Sequence, residues 1–127
     1  TWAAFWTYGM EDNINGDPSE IDILEQLDRN MFTFSTNLHI TNPYKRHQNL
    51  KDIKMEPMNL SDDFHRYGIL KEKDRLTFYF DGIPCREITN DIKYLTDKQH
   101  IIINNGNCST EIENDMYIDW VRFYKKI

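Results

Sequence analysis

Apolar and polar residues alternate in short runs along most of this chain, and the alternation has period two. Glu20 to Leu24 (EIDIL) and Met31 to Ile40 (MFTFSTNLHI) switch between aliphatic or aromatic and polar side chains at successive positions, the signature of strands with one buried face. Thr1 to Tyr8 (TWAAFWTY) is an aromatic run closed by Gly9. Phe64 to Lys71 and Leu76 to Phe80 follow, with a turn at Lys73-Asp74 between them and Asp81-Gly82 closing the second run as a hairpin signal. Arg86 to Ile88, His100 to Asn104 and Tyr117 to Tyr124 (YIDWVRFY) complete the expected strands. Two polar stretches break the rhythm, Met10 to Ser19 and Asn42 to Asp63, and the second is long for a connection in a compact domain. No long amphipathic helix is visible. The pattern predicts an all-β fold, an antiparallel sandwich of jelly-roll type.

Length and composition narrow this further. The chain has 127 residues, 39% of them hydrophobic, with 7 Phe, 7 Tyr and 3 Trp, which suits one domain over residues 1–127 with a packed core. No apolar run approaches the ~20 residues that cross a bilayer as a helix. With 15 basic against 21 acidic residues the net charge is −6, and no basic stripe interleaves with aromatics, so nucleic acid is not an expected partner. Cys85 and Cys108 could be paired or free. The four histidines show no HExxH or CxxC context, which argues against structural zinc. Asn59-Leu60-Ser61 and Asn107-Cys108-Ser109 fit the glycosylation pattern without further support.

The chemistry is concentrated in Ser19-Glu20-Ile21-Asp22-Ile23-Leu24-Glu25. In a strand, Glu20 and Asp22 share one face and Ile21 and Ile23 the other. Strict alternation turns Glu25 away, but one β-bulge near Ile23-Leu24 would bring it back beside the other two acids. Like charges this close raise at least one pKa, leaving one carboxyl protonated while another stays ionised. That is the division of labour in retaining glycoside hydrolysis, whose two carboxyls lie ~5–5.5 Å apart. The plain alternative is a solvated acidic face. It fits less well, because no Lys or Arg separates the three acids and because the neighbouring strand is aromatic, as sugar rings require for stacking. Trp6 and Tyr8 are the candidates for that stacking, with a core role as the alternative.

These motifs together resemble the family-sixteen glycoside hydrolases, the group of laminarinases, lichenases, agarases and carrageenases. The run Trp2-Ala3-Ala4-Phe5-Trp6-Thr7-Tyr8-Gly9 followed by Glu20-Ile21-Asp22-Ile23-Leu24-Glu25 is similar to the family signature. Asn37-Leu38-His39, Phe64-His65-Arg66-Tyr67-Gly68, Leu76 to Gly82 and Tyr117 to Tyr124 resemble later strands of that fold in the same order. The resemblance implies a β-jelly roll that cuts β-linked polysaccharide with retention. It implies Glu20 as nucleophile, Glu25 as acid/base and Asp22 between them, with Trp6, Tyr8, His39 and Asn104 on the substrate side. The extra Leu24 resembles the bulged, laminarinase-like subtype, so an endo-β-1,3-glucanase is the expected activity.

The resemblance further implies that no cofactor is needed for catalysis, that a structural calcium could involve Asp119, and that the enzyme works outside the cell, in the periplasm or at the cell surface. Departures are visible too. Gly16-Asp17-Pro18-Ser19 offers no Trp before the nucleophile, Asn104 to Cys108 replaces a more apolar stretch, and Lys71 stands where an aromatic is common. The chain also opens directly in its aromatic strand, so the jelly roll is expected to be incomplete on its N-terminal side, the C-terminal part of a catalytic domain that associates through open strand edges. The competing reading is a carbohydrate-binding or structural β-sandwich without turnover, or an inactive fragment of an enzyme. A calcium-binding β-domain lacks any EF-hand-like ligand spacing.

Overall fold

The alternating runs form strands because their apolar faces can be buried only by pairing side by side and stacking two sheets. A computed structural model describes residues 1–11, 17–27, 30–106, 115–125 and 127. The strands are β1 (Trp2–Gly9), β2 (Glu20–Leu27), β3 (Thr33–Thr41), β4 (Arg46–Gln48), β5 (Lys51–Lys54), β6 (Tyr67–Lys71), β7 (Leu76–Phe80), β8 (Ile83–Ile88) and β9 (Gln99–Gly106). The larger sheet runs β4-β3-β2-β1-β9, with β5 sharing the outer lane of β3 beside β4; the smaller sheet runs β6-β7-β8. All pairings are antiparallel. The fold is therefore an all-β, jelly-roll type sandwich.

The core lies between the sheets. Ile21, Ile23, Leu38 and Ile40 from the larger sheet meet Leu76, Phe78 and Ile88 from the smaller one, and the 3₁₀ turn Ile92–Tyr94 adds Ile92 and Leu95 at one end. A second cluster joins Leu24, Phe34, Leu60 and Phe80, where Phe34 stacks on Phe80 at 5.6 Å and meets Tyr67 edge-on at 5.1 Å. Burying each such side chain contributes on the order of 1.5–3 kcal/mol. Buried Arg86 on β8 ties the sheets together: Nη1 donates to Thr36 O and Oγ1 at 2.6 and 2.7 Å, and Nη2 donates to Asn49 O and Oδ1. Four acceptors satisfy a charge that would otherwise be costly to bury.

The expected hairpin turn is present, while several other expectations shift. The Asp81-Gly82 turn has both residues at positive φ, 49° and 83°, as a type I′ hairpin requires. The strand expected from Phe64 begins only at Tyr67. Phe64 is exposed, while His65 Nδ1 faces Asp81 Oδ2 at 2.9 Å and Arg66 N donates to Asp81 Oδ1, so these residues brace the hairpin turn. The polar stretch Asn42 to Asp63 holds two unexpected strands, β4 and β5.

The closing strand expected at Tyr117 to Tyr124 is not formed. Residues 115–125 have no regular structure, and Tyr117, Phe123 and Tyr124 are 74%, 79% and 77% exposed. A strand needs a hydrogen-bonded neighbour as well as apolar residues, and no described strand pairs with this segment. Met116 packs against the second core cluster, and within the segment Tyr117 Oη donates to Asp115 Oδ2 and Arg122 lies over the Trp120 ring. Cys85 is a free thiol that donates to Phe78 O at 3.4 Å. Cys108 and the second glycosylation pattern lie outside the described residues. No helix among them is long and apolar enough to cross a membrane.

Candidate active site

The outer face of the larger sheet, turned away from the core, carries the acids. β1 pairs Phe5 with Leu24 and Trp6 with Asp22, so Ile23 is the extra residue of a bulge. Ile21, Ile23 and Leu24 all reach the core, and the phase shift returns Glu25 to the face that holds Glu20 and Asp22. Cross-strand partners share a face, so the register lays out three rows perpendicular to the strands. The first is His100, Tyr8, Glu20, His39 and Gln48. The second is Ile102, Trp6, Asp22 and Asn37, and the third is Asn104, Ala4, Glu25, Ser35 and Asp52.

Asp22 is buried, and Glu20 and Glu25 are half-buried beside it. His39 Nε2 lies 3.2 Å from Asp22 Oδ2 and 3.7 Å from Glu20 Oε1, with Asn37 Nδ2 at 3.0 Å on the same ring nitrogen. Asn37 Oδ1 accepts from Leu38 N, which fixes the amide and aims its NH₂ group at His39. Glu20 titrates above the ordinary glutamate range because of burial and then the charge of Asp22. Glu25 is raised by burial and then by Asp22, while the Trp2 N–H pulls it back down. The close contact of Nε2 with the Asp22 carboxylate raises His39, with the charges of Glu20 and Asp22 adding to it and burial opposing. A proton is thus easier to keep on both glutamates and on His39 than in water.

The aromatic strand supplies the wall. Trp6 and Tyr8 meet edge-on at 6.0 Å, and Tyr8 meets His100 at 6.2 Å. Both belong to the outer face and not to the core. Trp6 Nε1 donates to Asn104 Oδ1 at 2.7 Å, bringing the expected residue Asn104 to the cleft. The structure therefore gathers Glu20, Asp22, Glu25, Trp6, Tyr8, His39 and Asn104 on one face. Asp119 is exposed in the unpaired segment and joins no cluster of ligands among the described residues, so a cation there would draw its other ligands from elsewhere. Glu20, Asp22 and His39 do present ligand atoms within 4.8 Å of one another.

Two residues with a hand in the site were missed. Trp2 sits on the same face as Ala4, Trp6 and Tyr8, two steps further along the strand, and its Nε1 donates to Glu25 Oε1 at 3.1 Å; strand parity alone could have found it. Buried Asp97 accepts from Ser19 N at 2.8 Å and from Gln99 Nε2 at 3.0 Å through Oδ2, anchoring the backbone just before Glu20. Nothing in the sequence marks that contact, which closes over 78 residues.

Known proteins resemble this chain in sequence and in fold. The chain is 28% identical over 104 residues to the Crh-like protein CRH12 of Candida albicans, an alignment covering 82% of this chain and 20% of that protein. The endo-β-1,3-glucanase of Pyrococcus furiosus is 26% identical with a TM-score of 0.59, over 80% of this chain and 43% of its own. The κ-carrageenase zobellia_236 of Zobellia galactanivorans shares the fold at 20% identity and a TM-score of 0.63, over 80% and 44% of the two chains. The chain thus spans a fifth of the length of that curated relative and less than half of these solved structures. Residues 1–122 match the family model for glycosyl hydrolases family 16, and with the bulged acidic strand in an aromatic cleft this establishes that the chain belongs to that family.

Proposed function

We propose that this chain carries the catalytic strands of a retaining endo-β-glycanase whose substrate is a β-1,3-glucan. The observation that carries the reading is the bulge at Ile23, which puts Glu20, Asp22 and Glu25 on one face of β2 against Trp2 and Trp6. Glu20, as carboxylate, attacks the anomeric carbon while Glu25 gives its proton to the departing glycosidic oxygen. The resulting glycosyl ester on Glu20 is then hydrolysed by a water whose proton Glu25 takes back, so two inversions retain the configuration. Asp22 and His39 hold the charge and proton around Glu20. The raised Glu25 carboxyl suits a group that must be protonated to act.

Support for the glucan comes from the likeness to the Pyrococcus endo-β-1,3-glucanase at 26% identity; a galactohydrolase similar at 28% identity makes a β-linked galactan the alternative substrate. In this reading the 127 residues form the C-terminal part of a larger catalytic domain, and the protein acts outside the cell on polysaccharide there.

Glu25→Ala, in the protein as its gene encodes it, separates an enzyme from a sugar-binding module. Turnover of laminarin should fall by more than about 10²-fold, the usual scale of a lost general acid. Turnover of an aryl β-glycoside with a good leaving group should fall much less, because that group departs without a proton. Equal losses on both substrates would remove Glu25 from the acid/base role. If the unaltered protein bound laminarin without ever hydrolysing it, the binding-module reading would replace this one.

A further inference from the structure

One corner of the acidic face gathers electron-pair donors with nothing between them. Asp22 is 3% exposed, and its Oδ2 has no hydrogen-bond partner among the described residues. A buried carboxylate oxygen left in this way calls for a proton, a water or a cation. His39 Nε2 faces it at 3.2 Å, yet the same nitrogen meets Asn37 Nδ2 at 3.0 Å. Asn37 Oδ1 is taken up by Leu38 N, so the amide presents an N–H to the ring. In the neutral ring Nε2 is therefore the nitrogen with the lone pair. Glu20 Oε1 completes the corner, 3.7 Å from Nε2.

The geometry points to a divalent transition-metal site formed by Glu20, Asp22 and His39, which takes the nucleophile out of use when it fills. The site stands on the geometry alone; its effect, reversible inhibition, rests on the glycanase reading and adds a means of regulation to it.

The separations suit one ion. Nitrogen and oxygen ligands held at ~2.0–2.2 Å around a tetrahedral metal stand about 3.3–3.6 Å from each other, close to the two distances from Nε2. The three ligand atoms all lie within 4.8 Å of one another, and half-buried Glu20 can turn to close the remaining gap, while buried Asp22 stays fixed. The donor set selects the metal. Calcium and magnesium seek oxygen alone and more of it, whereas an imidazole with two carboxylates suits Zn²⁺, Co²⁺, Ni²⁺ or Cu²⁺. The fourth position faces the cleft, where water can take it. An ion there replaces the Asn37 N–H at Nε2, and the amide keeps Gln48 Oε1 at 3.5 Å. A Glu20 oxygen that gives its lone pair to a metal cannot attack an anomeric carbon.

The test is a titration of Zn²⁺ into the metal-stripped protein as its gene encodes it, followed by calorimetry in the unaltered protein, Glu20→Gln, His39→Gln and His100→Gln. Glu20→Gln and His39→Gln should each weaken binding at least about tenfold, the scale on which metal sites answer to a lost partner, while His100→Gln, on the same face, should change it less than about twofold. No binding at millimolar Zn²⁺, or equal binding in all four proteins, would overturn the site. Co²⁺ reads the donors without any substitution. It should give the visible bands of low-coordinate cobalt with no near-ultraviolet thiolate band; a thiolate band, or the spectrum of hydrated Co²⁺, would also overturn it. Zn²⁺ should inhibit laminarin hydrolysis over the concentrations that fill the site, and a chelator should restore it. Zn²⁺ bound by these residues with hydrolysis undiminished would overturn the inhibition. If the unaltered protein never hydrolyses laminarin, the glycanase reading fails, and the two metal titrations alone judge the site.

Discussion

Trp2 and Glu25 show how one hydrogen bond sets the working state of a carboxyl. Burial and Asp22 raise Glu25, and the indole N–H, which favours the ionised form, opposes them. Trp2→Phe keeps the ring and removes the donor, so Glu25 should titrate higher still. As Glu25 must be protonated to act, the alkaline limb of the pH profile of kcat/KM should move to higher pH; a limb that stays put or moves down would contradict this account. The same burial has a stability consequence. A glutamate whose folded pKa exceeds its unfolded one binds more protons when folded, so stability falls as pH rises from the ordinary glutamate range through the raised folded value. Glu25→Gln removes that penalty. Its melting temperature should exceed that of the unaltered protein at pH 7, with the gain disappearing below the ordinary glutamate range, the familiar exchange of stability for function. A gain that persisted unchanged into acid would mean the carboxyl's charge is not its source.

Strands β1 and β2 were legible because aromatic and acidic residues alternate with aliphatic ones that must be buried, and even the bulge follows from the need to place Ile23 and Leu24 inward and Glu25 outward. β4 and β5 were not, because RHQ and KDIK are mostly exposed and only Ile53 carries an inward apolar signal. The fixing of β2 was also hidden. Gly9 ends β1 where a Cβ would overlap Asp97 Oδ2 and come 2.8 Å from Pro18 Cβ, so glycine is needed there for close approach. Gly9→Ala should displace Asp97, free the amide of Ser19 and loosen the strand that carries Glu20. The expected cost is about 2 kcal/mol in chemical denaturation, the scale of overpacking combined with a lost charged hydrogen bond, and kcat should fall with it. Stability within about 0.5 kcal/mol of the unaltered protein would show that Asp97 does not hold β2.

On the scale of the whole molecule, one sheet face is sealed by the smaller sheet and the other is an acidic, aromatic cleft. That plan was legible in the sequence, since alternating strands with one apolar face have few ways to be buried. The C-terminal segment was misread because Tyr117 to Tyr124 has the composition of a strand, while pairing depends on which neighbours surround it. The same segment leaves Tyr117, Ile118, Val121 and Phe123 exposed, consistent with a chain that spans under half of the solved relatives named above. The central claim is that Glu20 attacks the sugar, and it can be read directly. Incubating the protein as its gene encodes it with a 2-deoxy-2-fluoro β-laminaribioside bearing a dinitrophenolate leaving group should trap the glycosyl ester. Mass spectrometry of the digested protein should then find one added fluorodisaccharide, on the peptide containing Glu20 and on that residue. A label on Glu25 or Asp22 would contradict the account, as would release of dinitrophenolate with inverted product and no labelled peptide.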